Sequence, residues 1–122
     1  MNESPFLGYI DQGVEINGDI VAKNPLRIDG KVKGKIKSLS DIIVGKTGEI
    51  EGEVLVNEII ISGRAKGRIC AKKGVKIEDS ARLEADVITP VLSIKEGAVF
   101  KGSAKVLPRE EVSREIDKVW KS

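Results

Sequence analysis

Six segments of this chain share one pattern: an apolar residue opens a stretch in which apolar and polar residues alternate between glycines. The clearest copy is Ile28-Asp29-Gly30-Lys31-Val32-Lys33-Gly34-Lys35-Ile36. Further copies run from Val44 to Val54 and from Ile61 to Ile69, with looser ones from Ile77 to Val87 and from Ile94 to Ala104. An earlier copy runs from Ile10 to Ile20, with Gly18 where the clearest copy has Gly34. The opening residues fall at 10, 28, 44, 61, 77 and 94, a spacing of about 17. A repeat of that length is the signature of a solenoid, whose units bury their apolar faces by stacking on one another.

Strict alternation within each copy is the period of a β-strand. A strand, a glycine corner and another strand, repeated, make a three-sided coil. Glycine suits the corners because it accepts backbone angles that a Cβ disfavours. Successive coils then stack in parallel, about 4.8 Å apart. One inward ladder would be Ile16, Val32, Ile50, Ala65, Leu83 and Phe100, and another Ile20, Ile36, Val54, Ile69, Val87 and Ala104.

The outward residues supply an independent check. They are acidic in the first copy (Glu15, Asp19) and basic in the second (Lys31, Lys33, Lys35, Lys37). Acidic residues return in the third (Glu49, Glu51, Glu53) and basic ones in the fourth (Arg64, Lys66, Arg68). The fifth is mixed but net acidic (Arg82, Glu84, Asp86), and the sixth is basic (Lys101, Lys105). Stacking places each basic row against acidic ones, and a slip of one turn would set like against like, so the pattern fixes register.

Composition agrees. The 122 residues allow one domain, and the aromatic residues are Phe6, Tyr9, Phe100 and Trp120. The remaining apolar residues are mainly Ile, Val, Leu and Ala, which suits sheets. A net charge of +2 does not suggest a nucleic-acid binder. The single cysteine, Cys70, cannot form an internal disulfide, and the N-terminus has no signal-peptide pattern, so a cytoplasmic protein is expected. Cys70 lies beside inward Ile69, which points it outward or into a corner. No apolar run approaches the ~20 residues of a membrane span.

The run from Leu26 to Ile36, the run from Ile60 to Gly67 and the late run from Gly97 to Gly102 resemble the repeats of the bactofilins, a family of bacterial cytoskeletal proteins. The resemblance covers about residues 8 to 107. It implies an all-β fold, a right-handed parallel β-helix with a triangular cross-section of about six turns. It also implies assembly end to end into filaments without nucleotide, and scaffolding roles in cell shape or the building of the envelope. Phe100 falls where the family carries a phenylalanine in its terminal turn, at the C-terminal polymer contact.

The ends fit that implication. A solenoid without polar caps exposes unpaired strand edges and its apolar section. The last turn keeps Leu92, Ile94, Phe100 and Val106, and the first keeps Tyr9, Ile10, Val14 and Ile16. These two sets are the expected polymer contacts. Charge favours head-to-tail stacking of an acidic first turn on a basic last one, whereas the resemblance implies that like ends meet.

Two tails flank the repeat. Residues 1–7 include Phe6 and Leu7, which could touch a membrane at its inner face but more readily extend the first turn. Residues 108–122 predict a short amphipathic helix. Pro108 suits its first position, Glu110 and Glu111 suit its first turn, and Val112, Ile116, Val119 and Trp120 share one face. That face would pack on the solenoid, cap its C-terminal end or dock a partner, such as an envelope-associated protein.

Signals of chemistry are weak. Gly45-Lys46-Thr47 resembles the end of a phosphate loop, but Ser40 stands where a glycine is needed and no helix pattern follows. Cys70 has no histidine or second cysteine to join it in a metal or nucleophile site. Enzymes on left-handed β-helices use a six-residue period and histidine, and this chain has neither. The expectation is a non-enzymatic protein without cofactor, metal, nucleotide or nucleic acid, whose main partner is itself. A β-helical adaptor that docks a partner through its C-terminal helix is the alternative.

Overall fold

The computed structural model describes residues 8–119, with side chains of the last helix described through Asp117. The strands in chain order are β1 (Gly8–Ile10), β2 (Glu15–Asn17), β3 (Ile20–Ala22), β4 (Leu26–Ile28), β5 (Lys31–Ser38) and β6 (Ile42–Val44). They continue as β7 (Glu49–Ile61), β8 (Arg64–Ile77), β9 (Arg82–Thr89), β10 (Leu92–Ile94) and β11 (Val99–Val106), followed by α1 (Arg109–Val119). Every pairing is parallel, and each strand lies beside the equivalent strand one repeat away. The result is a parallel β-solenoid of about six turns with one C-terminal helix.

The register reproduces both ladders read from the sequence. Ile16 pairs with Val32, Val32 with Ile50, Ile50 with Ala65, Ala65 with Leu83 and Leu83 with Phe100. The second ladder runs in the same way from Ile20 to Ala104. The residues that open each copy form a third ladder, Ile10, Ile28, Val44, Ile61, Ile77 and Ile94. These three ladders line one continuous core, in which Ile28, Ile36, Ile61, Ile77 and Leu83 are fully buried. Burying each such side chain contributes about 1.5–3 kcal/mol. Two polar residues also point into the core, and each is satisfied locally. The Ser38 hydroxyl donates to the Ser40 carbonyl at 3.2 Å, and the Thr89 hydroxyl to the Val91 carbonyl at 3.1 Å.

The corners explain the uneven spacing of the repeat. At the corner after the third ladder, turns two and four pass through a pair of residues, Asp29-Gly30 and Ser62-Gly63. Turns one, three, five and six use longer turns, closed by hydrogen bonds from Val14 to Asp11, Gly48 to Gly45, Ala81 to Glu78 and Ala98 to Lys95. Longer turns are tied onto shorter ones. Thr47 donates its hydroxyl to the Asp29 carbonyl and Ser80 to the Ser62 carbonyl, each at 2.8 Å. The Gly45-Lys46-Thr47 motif is therefore a corner.

A different corner bends the long strands. Gly34, Gly52 and Gly67 stack with φ of 143°, 136° and 127°, and a Cβ on Gly52 would overlap the Gly34 carbonyl oxygen. Turn five carries Ala85 in this column, at the one place where the backbone does not adopt a positive φ.

Candidate functional site

The chemistry of this molecule lies at its two ends and on its sides. At the C-terminal end, Leu92, Ile94, Phe100 and Val106 pair with Val75, Ile77, Leu83 and Thr89 of the turn before. No described strand stacks on their other side. Ile94 is 48% exposed and Val106 56%, although both continue inward ladders that are buried elsewhere. Phe100 and Leu92 are half-buried against the core. The four residues singled out in the sequence are thus brought together on one open section.

The N-terminal end is less uniform. Ile10 is buried, and Ile16 is half-buried beneath Val32. Val14 occupies the corner position that holds Gly30, Gly48, Gly63 and Ala81 in the following turns, and it is 44% exposed. A side chain larger than alanine fits there because no described turn lies below it. Tyr9 differs from the other three. It pairs with Arg27 on the outer surface and points away from the open section. Its phenol lies near the Asp29 carboxylate, which accepts from Arg27 Nε at 2.9 Å and Nη2 at 3.3 Å. The Arg27 guanidinium, and then the Tyr9 hydroxyl, hold the Asp29 carboxyl below its ordinary range, and the same carboxylate pushes the Tyr9 phenol up. Asp29 in turn lies over Gly45, where a Cβ would collide with the carboxylate. This cluster brings the first two turns together and abuts the third.

α1 lies along a side of the solenoid and leaves the C-terminal section open. Val112 and Ile116 are buried against Leu55 and Cys70, with Ile88 and Leu107 packed around them. Leu55, Cys70 and Ile88 form an outward column on β7, β8 and β9. Cys70 therefore points outward, as its position beside Ile69 implied, but is fully buried because the helix covers it. Sequence reasoning missed this docking site. Its signal was present in three runs, Val54-Leu55-Val56, Ile69-Cys70-Ala71 and Val87-Ile88-Thr89, where alternation fails at the same register position. The side chain of Val119 and residues Trp120, Phe6 and Leu7 lie outside the described residues.

A second side carries the charged rows. Lys31, Glu49, Arg64 and Arg82 form one column, and Lys33, Glu51, Lys66, Glu84 and Lys101 the next. The alternation in sign holds except where Arg64 meets Arg82. Among the described residues, ion pairs within 4 Å are those of Arg27 with Asp29 and Lys95 with Glu78. The rows therefore act through their field and not through fixed contacts. A groove of about 360 Å³ runs over this side, bordered by both signs of charge. Among the described residues, no cluster of His, Cys, Asp and Glu could hold a metal ion. No helix is long and apolar enough to cross a membrane.

A solenoid with these ladders and glycine corners matches a known family model over residues 8–105, described as a polymer-forming cytoskeletal protein. The chain belongs to the bactofilin family. The bactofilin of Thermus thermophilus, crystallised as a phenylalanine-to-arginine mutant, superposes with a TM-score of 0.70 at 30% identity. That match covers 74% of this chain and 100% of the Thermus bactofilin chain. No curated protein matches the chain in sequence. Membership in the bactofilins makes this a protein of a structural, polymer-forming cytoskeletal family, and self-association is the interaction that the family description implies.

Proposed function

We propose that this bactofilin assembles end to end into filaments without nucleotide and serves as a scaffold in cell shape or envelope-related processes on the cytoplasmic side of the cell membrane. The open C-terminal section carries the reading. Ile94 and Val106 are about half exposed on ladders that are otherwise buried, and α1 packs elsewhere. Covering this section with another copy continues the ladders and satisfies the free strand edges. Leu92, Ile94, Phe100 and Val106 form one contact, and Ile10, Val14 and Ile16 the other. Tyr9 supports the first turn from outside.

Phe100→Arg tests the proposal. Placing a guanidinium in an apolar contact buries an unpaired charge. Negative-stain microscopy of purified protein without nucleotide is expected to show filaments for the natural chain and none for the variant. Long filaments of the variant would move the contact elsewhere. A monodisperse monomer of the natural chain at high concentration would favour the adaptor reading. The Thermus bactofilin was crystallised with a substitution of the same kind.

A further inference from the structure

The charged side has no part in an end-to-end contact, and no described element covers it. Glu51, Arg64, Lys66, Arg82, Glu84 and Lys101 are all exposed there. Its rows are acidic, basic, acidic, basic, net acidic and basic from the first turn to the sixth. An even number of rows with alternating sign has a geometric consequence. Two such sides laid together with their axes parallel and level would set every row against one of like charge. Turning one copy about a two-fold axis along the strand direction places row one on row six, two on five, and three on four. Every row then meets one of opposite net sign.

We propose that this side is a second contact surface, which pairs two copies of the chain side by side with their axes antiparallel. The two-fold axis passes between the third and fourth rows. Glu49 of each copy then faces Arg64 of the other, and Glu51 faces Lys66. Farther out, Lys33 faces Glu84. The operation leaves each residue in its own column, so Lys31 faces Arg82 as the one unfavourable pair. The contact is isologous, and each pairing occurs twice. It goes beyond the end-to-end reading and holds whether or not that reading does. Exposed pairs are individually weak and are screened by salt. The pairing is therefore weak for isolated molecules and is reinforced along any filament that repeats it.

Charge exchange tests the arrangement. Filaments are scored as single or paired by negative stain at ~50 mM and ~500 mM salt, a range over which screening rises strongly. Protein that does not polymerise is scored instead as monomer or dimer by sedimentation velocity, so the two contacts fail separately. Pairing is expected at low salt and not at high salt. Lys33→Glu and Glu84→Lys are each expected to weaken it by about tenfold, because each turns two attractive pairs into repulsive ones. An equimolar mixture of these two variants should restore pairing, because each partner then supplies the charge the other lost. Arg82→Glu should strengthen pairing by removing the Lys31 repulsion, and it also relieves the contact with Arg64 within the fold. Pairing that ignores salt, a mixture that fails to pair, or an Arg82→Glu variant that pairs less well would each overturn the proposal.

Discussion

Replacing Val112 with alanine removes side-chain carbon from the centre of the contact between α1 and the solenoid. Val112 is fully buried, against Leu55, Cys70 and Ile116. The lost carbon is equivalent to ~2 methylenes at about 0.8 kcal/mol each, a loss of about 1.6 kcal/mol. The loss falls on docking of the helix and not on global stability, because the solenoid core forms a separate cluster. Cys70 reports the event, since its thiol is reached by a labelling reagent when α1 lifts away. A change of ~1.4 kcal/mol is a factor of ten, so labelling of Cys70 should accelerate about 15-fold while the main unfolding transition stays in place. Val21→Ala, at a position 74% exposed on the same outward column, is the control and should change nothing. Equal labelling rates in Val112→Ala and the natural chain would refute the account of what buries Cys70.

Gly52→Ala should destabilise the fold by more than ~3 kcal/mol in chemical denaturation, because strain at φ 136° is joined by a clash with the Gly34 carbonyl. Gly13→Ala, at φ 91° with open space around it, should cost only the strain of about 1–3 kcal/mol. Leu83→Ala should cost about 2–5 kcal/mol by the same measurement, since Leu83 fills the core between Ala65 and Phe100. Asp29 has its folded pKa lowered, so its contribution is present above the ordinary carboxylate range and is lost as pH falls from there through the lowered folded value. Asp29→Asn should therefore be less stable than the natural chain at neutral pH, and its stability should fall less steeply between about pH 5 and pH 2 in acid titrations followed by circular dichroism.

The solenoid was legible because three features record it separately: apolar alternation, glycine spacing and the sign of the outward charges. Ile16 to Phe100 and Ile20 to Ala104 pair as the sequence implied, because a slip of one residue would turn every ladder inside out. The side chosen by α1 was harder to read. Val112 and Ile116 announce an apolar face, but its receptor is spread over Leu55, Cys70 and Ile88, which become neighbours only once the turns are stacked. Runs such as Val54-Leu55-Val56 also look like ordinary buried strand. The outward charges were legible in sign and not in contact. Long side chains on stacked rows reach into water, where a fixed pair gains little over a hydrated one. Tyr9 reads as part of the open section because it precedes Ile10, yet neighbouring strand residues face opposite ways, and its phenol lies beside Arg27 and Asp29.

The backward course of α1 gives the molecule unlike sides: one striped with charge, one carrying a helix, and one bearing the Tyr9, Arg27 and Asp29 corner. Six turns at about 4.8 Å each advance the axis by roughly 29 Å per molecule. A rod in which like ends meet would carry the helices in oppositely directed pairs that recur every two molecules, roughly 58 Å, so the solenoid would act as a ruler. Whatever binds the outer surface of α1 would be spaced by the number of turns in the solenoid, and inserting or deleting one turn would reset that period by two strand spacings.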